Sequence, residues 1–464
     1  MAQDMVRIVP QELSDSVIDY LHDDLPSLRQ CSLVCKSWVR TSTEHLFSII
    51  AWPPSHPTIP GREGLPDAVS FAEFHELLKS SPRLCGALRH LKLFGARGWE
   101  GPGIIFVSFF GAKPDVQSLP IEFLHALPKL LPRLHTLELW NLNITFEPGT
   151  IPSSLQPPPS ISSLSRLSFV TTMGMPALDY DSIIIAISTF SHIQDLVLDC
   201  IVQYAAALPG TEPLPSPRRF ESTAVANFDA SNLRDGNPSV LNKFDVVVKQ
   251  LDLSALRQVA PCSPPESVPA NGPLLTASPA LEALAYTPES YIPLLHLQNP
   301  GNLQILDLSF GIVPSAHDPV EFMSSTNQDH VMRHLAKVPK LSSLRKLIVT
   351  IMISDLFRDH ANDPDQFAQR FSEFLQRTLT WEFKIFVELR RLPRLQELKF
   401  VVAHRPMRTD LSAYLAPCGR ALEEVAAEKL TLETKTSIKV TVVAECRPVG
   451  GEAVCHFQAL ITPD

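Results

Sequence analysis

Glycine is scarce in this 464-residue chain: 18 residues against 42 prolines. So few glycines argue against phosphate-cradling loops and long flexible linkers, while the prolines point to many short elements with stiff punctuation. One glycine-dense stretch, GARGWEGPG at 95–103, has the wrong spacing for a dinucleotide fingerprint and reads as a surface turn. Charge is sparse as well, with 19% charged residues and a net charge of −9. No basic cluster exceeds Arg218-Arg219 or Arg390-Arg391, which speaks against a nucleic-acid partner held by a basic face. No apolar run approaches the roughly 18 residues of a membrane span, and the opening residues hold no apolar core of signal-peptide length. The expectation is therefore no membrane association and a cytoplasmic or nuclear protein. The eight cysteines, none in a CxxC pair, should stay reduced there. GxSxG, HExxH and P-loop signatures are missing, and the fifteen histidines do not fall at ligand spacing with cysteine or carboxylate. This predicts a non-enzyme with no cofactor and no metal.

What the chain does have is apolar residues, 45% of the total. In the first fifty residues they follow helical spacing. Leu13, Val17, Ile18 and Leu21 make one stripe, and Leu28, Cys31, Leu33, Val34 and Trp38 a second. A third segment ends in Leu46, Phe47, Ile49 and Ile50. Pro10 suits the start of the first helix and Pro26 the start of the second. Three helices in about fifty residues lie at the lower size limit for independent stability and gain by burying an apolar face on something else.

The order Val9-Pro10, Glu12-Leu13, Ile18, Tyr20-Leu21 and Leu33-Val34-Cys35-Lys36-Ser37-Trp38 resembles an F-box over residues 5–50. Val9 replaces the family's usual leucine, and the HDDLPS loop is slightly longer than the commonest form. The resemblance implies docking to the Skp-type adaptor of a cullin ubiquitin ligase. By carry-over, Pro10, Leu13, Ile18, Leu21, Leu28, Val34, Cys35 and Trp38 form the adaptor-facing or helix-packing set. The sequence leaves open which residue does which. Trp38 is the natural anchor, because large aromatics carry a disproportionate share of interface energy.

Beyond a proline-rich linker at 51–70, the pattern Leu-x-x-Leu-x-Leu returns nine times through residues 71–464. It begins at Leu88, Leu134, Leu164, Ile193, Val248, Leu281, Leu303, Leu344 and Leu395, with a weak tenth at Leu422-Glu423-Glu424-Val425. Pro-x-Leu precedes several copies, and amphipathic stretches such as Phe71-Phe74-Leu77-Leu78 lie upstream. Helix, proline stop, short strand is the repeating unit, and it resembles a degenerate leucine-rich repeat. The fold expected is an α/β solenoid: a three-helix F-box followed by an irregular horseshoe, with a C-terminal strand hairpin around 448–451 as its cap. Two stretches, 205–240 and 258–280, read as proline-rich loop insertions.

Alternate residues of such a sheet face outward. Glu138, Trp140, Asp199, Asp252 and Asp307 are the candidate target-binding set on that face, with Trp140 as anchor; Lys92, Ser309 and Lys399 lie on it too. The acidic bias points to a basic target segment. The expected function is the substrate-recognition subunit of a cullin-type ligase holding a protein target. A leucine-rich-repeat scaffold unconnected with ubiquitination is the other class these residues allow.

Overall fold

The computed structural model describes residues 10–52, 70–95, 118–145, 163–171, 180–199, 201–202, 223–230, 234–235, 251–260, 280–286, 300–314, 322–324, 343–353, 368–373, 392, 394–404, 412–433, 438–446 and 454–461. Three helices come first: α1 (Gln11–Asp19), α2 (Leu25–Val34) and α3 (Lys36–Leu46). Pro10 is the N-cap of α1, and Asp24 caps α2, accepting from the Ser27 backbone N–H at 3.1 Å. Cys35, extended at φ −159°, separates α2 from α3. Val9 lies outside the described residues. The third apolar segment is not wholly helical. It passes from α3 straight into a strand, β1 (Ile49–Trp52), so that the linker expected from residue 51 begins inside the sheet.

The chain then runs through α4 (Phe71–Ser80), α5 (Pro82–Ala87), β2 (His90–Phe94), β3 (Ser118–Pro120), α6 (Ile121–Leu130), β4 (Thr136–Trp140), β5 (Asn143–Thr145), β6 (Ser163–Val170), α7 (Tyr180–Ser188) and β7 (His192–Asp199). The short strands β8 (Ile201–Val202), β9 (Thr223–Asp229), β10 (Arg234–Asp235), β11 (Leu251–Asp252), β12 (Gln258–Ala260) and β13 (Ala283–Tyr286) follow. Next are β14 (Ile305–Pro314), β15 (Phe322–Ser324), β16 (Lys346–Ile353) and β17 (Glu397–His404). The last elements are α8 (Ser412–Glu433), β18 (Lys439–Cys446) and β19 (Val454–Ile461). Fifteen strands form one open, mixed but mostly parallel sheet in the order β1-β2-β4-β6-β7-β9-β12-β13-β14-β16-β17-β18-β19. Strand order follows chain order. Only β15 and β19 pair antiparallel, and β11 sits beside β9 off the main path.

One line of side chains explains the sheet. Ile50, Leu91, Leu137, Leu167, Leu196 and Phe228 are register partners in succession, and Val259, Leu284, Leu306, Leu347, Leu398 and Val440 continue the line. All but Ile50 are buried. A fully buried residue of this size contributes roughly 1.5–3 kcal/mol, and the line is continuous only because each strand stacks on the next.

Eight of the nine Leu-x-x-Leu-x-Leu copies fall on this path. The fifth does not. Val248 is outside the described residues, Leu251 is on the side strand β11, and Leu253 opens a 3-10 turn. The path runs instead through Val225, Phe228 and Ala230, then Leu256 and Val259, all buried. These residues lie in or at the edge of the stretches expected as loops, so both insertions contain strands. Valine, phenylalanine and alanine fill the leucine places at the same spacing, and the proline-rich flanks disguise them. With this correction the 55-residue interval from Ile193 to Val248 is divided: Ile193 to Val225 is 32 residues, Val225 to Leu256 is 31, and Leu256 to Leu281 is 25. The weak tenth copy lies on α8, where Leu415, Cys418, Leu422 and Val425 form a buried helical face at spacings of three and four. Pro82 follows α4 as expected and also opens a further short helix, α5, before the strand; Pro132 follows α6 in the same way. Pro279, Pro339 and Pro393 are outside the described residues.

At the C-terminal end, β18 and β19 pair antiparallel as expected of the hairpin, and the turn between them lies outside the described residues. Helix α8 packs on β17, β18 and β19. It comes so close that a Cβ on Gly419 would overlap the Phe457 ring.

Candidate functional site

Two surfaces carry the residues singled out from the sequence. The first is the three-helix unit. Its helices α1 and α3 are joined by a polar seam one helical turn apart at each step. Gln11 Nε2 donates to the Ser37 carbonyl at 3.3 Å, the Thr41 hydroxyl donates to Asp15 Oδ1 at 2.6 Å, and His45 Nε2 meets Asp19 Oδ1 at 2.7 Å. The hydrogen bonds from Thr41 and then Gln11 hold the Asp15 carboxyl below its ordinary value. Residues 11, 15 and 19 against 37, 41 and 45 keep one offset, so the helices run parallel. The i, i+4 spacing was in the sequence, but polar residues at that spacing usually face water.

The seam and a few apolar contacts hold the unit together, and most of its large apolar side chains point out. Ile18 and Leu28 are completely buried, and Cys31 is buried as well. Leu13 and Val17 are 58% exposed, Leu33 79% and Val34 63%. Tyr20, Leu25, Val39, Phe47 and Ile49 are exposed too. Among the described residues twelve large apolar side chains are exposed, and these nine lie within residues 13–49. Of the set carried over from the F-box resemblance, Ile18 and Leu28 are therefore packing residues. Pro10, Leu13, Val34 and Cys35 are exposed, and Leu21 and Trp38 are half-buried. The Ser37 hydroxyl, 3.0 Å from Cys35 Sγ, and the Trp38 backbone N–H hold the Cys35 thiol below its ordinary pKa.

The second surface is the outward face of the sheet. Glu138 is 3% exposed and fully engaged. His90 Nε2 lies 2.7 Å from Oε1, Trp140 Nε1 donates to Oε2 at 2.8 Å, and Lys92 Nζ is 3.4 Å away. Burial alone would raise the Glu138 pKa. The hydrogen bonds from His90 and Trp140 and the Lys92 charge outweigh it, and the carboxyl is held below its ordinary value. Trp140 also packs on Phe94, with ring centroids 5.5 Å apart. Glu138 and Trp140 thus form an internal brace across β2 and β4. Asp252 caps the 3-10 turn through the Ser254 N–H at 3.0 Å. Asp199 ends β7, half-buried. Asp307 accepts from the Thr350 hydroxyl at 2.9 Å and lines a cleft of about 480 Å³. The structure does not gather the five candidates into one patch. Asp307 alone of them lines the cleft, together with Asp195, Asn227, Asp229 and Gln258, which the sequence reading passed over.

The cleft has a simple origin. Register places Arg166, Asp195, Asn227, Gln258, Ala283, Ile305 and Lys346 side by side across successive strands. Two residues along each strand, the same face carries Asp229 and Ala260 on β9 and β12, and Ala285 and Asp307 on β13 and β14. Ala260, Ala283 and Ala285 leave a hollow between larger neighbours.

Among the described residues no three of His, Cys, Asp and Glu gather as a metal would need, and no helix is long and apolar enough to cross a membrane. No protein-family model and no curated protein matches the chain.

Proposed function

We propose that this chain is the substrate-recognition subunit of a cullin-type ubiquitin ligase. Its three-helix unit is an F-box that docks to the Skp-type adaptor, and its sheet is a degenerate leucine-rich-repeat horseshoe that holds a protein target. The observation that carries the reading is the apolar surface of residues 13–49. A chain with a large core elsewhere has no folding reason to leave Leu33 and Val34 in water, and such patches mark docking faces. The one-way progress of parallel strands along a single buried line supports the repeat reading.

The mechanism is proximity. The chain makes and breaks no bonds itself; it raises the effective concentration of a target near a charged ubiquitin-conjugating enzyme. This work belongs in the cytoplasm or nucleus, and the six described cysteines are free thiols. Strand β1 follows α3 after two residues, and Trp52 of β1 stacks on Phe74 of α4 at 4.3 Å, so the chain leaves the helical unit directly into the sheet.

Co-expression with a Skp-type adaptor tests the reading. Wild type should co-purify, and a Leu33→Asp, Val34→Asp variant of unchanged circular dichroism should not. A folded wild type that fails to bind overturns it.

A further inference from the structure

We infer that helix α4 is seated by an acid-sensitive latch: when the His75 imidazole takes up a second proton, the helix comes away from Trp52 and α6. An aromatic cluster holds the helix. Trp52 of β1 stacks on Phe74 at 4.3 Å, and Phe71 and Phe74 lie 6.3 and 5.9 Å from the Phe123 ring of α6. His75 completes the cluster, its ring 5.3 Å from Phe123 and nearly perpendicular to it. His75 Nε2 is buried with no hydrogen-bond partner, and so is Trp52 Nε1. A neutral imidazole can leave Nε2 as an idle acceptor. In the imidazolium both nitrogens are donors, so Nε2 becomes a charged N–H with no acceptor.

The surrounding charges do not relieve this. On α4 itself, Glu73 is taken by the Ser70 backbone N–H at 2.7 Å and Glu76 by Lys79 Nζ at 2.8 Å. Helix α5 brings Arg83 and the Cys85 thiol, which burial keeps neutral and which donates to the Leu78 carbonyl at 3.1 Å. Helix α6 brings Glu122, His125 and Lys129, and β1 has no titratable group. Burial first, and then the Lys79 charge, hold His75 below its ordinary pKa; Glu76 offsets them only in part. His125 is held down by burial as well, so α6 carries a second group that resists protonation. With the folded-state value depressed, the seat is intact above the ordinary histidine pKa of 6.5 and weakens as pH falls through it. The opening is local, a helix leaving the sheet while the stacked strands stay closed.

Hydrogen-exchange mass spectrometry on the full chain tests this at about pH 7.5 and about pH 5.5. Protection factors, which remove the intrinsic pH dependence of exchange, should fall at least about threefold for residues 70–80 in wild type. Those of β16, at residues 346–353, should stay constant. In His75→Phe, which keeps a ring and loses the titration, the fall should disappear, and His75→Gln should behave likewise. His125→Gln should keep it. Three outcomes overturn the inference: no fall in wild type, a fall that survives in both folded His75 variants, or protection that rises in acid, as an imidazolium stabilised by the Phe123 ring would give.

Discussion

The two ends of this molecule use leucine in opposite ways. In the sheet, Leu91, Leu137, Leu167 and Leu196 are wholly buried, and each is covered by the next strand. In the three-helix unit, Ile18 and Leu28 are buried while Leu13, Leu25 and Leu33 face solvent. Hydrophobicity is the same in both places and geometry differs. A parallel strand sends every second residue inward and has neighbours on both sides, so its leucines are covered as the sheet grows. Three short helices have more apolar stripe than they can cover among themselves, and the excess stays exposed. On the function proposed above, burial there stabilises a complex instead of the fold.

This contrast can be broken by substitution. The largest effect is expected in docking. Leu33→Asp with Val34→Asp should weaken adaptor binding at least about 100-fold, because charges in an interface core cost more than the apolar contact they replace. The same pair should leave the denaturation midpoint almost unchanged, as surface changes usually lie within about 0.5 kcal/mol. Leu196→Ala should do the reverse, lowering stability by about 2–5 kcal/mol in urea unfolding and leaving adaptor affinity intact in the folded fraction.

The Glu138 brace gives a smaller, pH-dependent signature. Its carboxyl is held below the ordinary glutamate value of 4.5, so the stability it contributes is present above that pH and is lost as pH falls through its lower value in the folded state. Glu138→Gln should cost about 1–3 kcal/mol at pH 7 and flatten the acid limb of the stability curve below about pH 4.5. A wild-type curve that runs parallel to the variant through that range would contradict the brace. The smallest effect expected is at Ser70, which shares a capping box with Glu73 through contacts of 2.7 and 3.2 Å. Ser70→Ala should cost about 1 kcal/mol and change no binding.

Much of the sheet was legible because side-chain direction along a strand is local. Leu134, Leu137 and Leu139 declare their face by spacing alone. What spacing cannot give is the neighbour across the sheet, since repeats of unequal length decide which strands meet. Nothing local ties Glu138 to His90, 48 residues earlier, or brings Asp229 and Asp307 to one cleft. β9 and β12 escaped notice because Val225, Phe228 and Val259 replace leucine between proline-rich flanks. The helical stripes were legible as helices, but a stripe looks the same whether it meets a core or a partner. Leu13 and Ile18, read as one face, separate only in three dimensions. The polar seam of Asp15 with Thr41 and Asp19 with His45 turns that face.

The central claim is that the apolar surface of the first fifty residues is a docking face for the Skp-type adaptor. Titration calorimetry of the full chain with purified adaptor tests it most directly, comparing wild type, Val34→Asp and Leu460→Asp. Leu460 is 54% exposed on the last strand, at the far edge of the sheet, so its variant carries the same change in chemistry at a remote place. The account predicts tight binding for wild type and Leu460→Asp and a loss of at least about tenfold for Val34→Asp. Equal affinity for all three, or no heat of binding from a folded wild type, would contradict it.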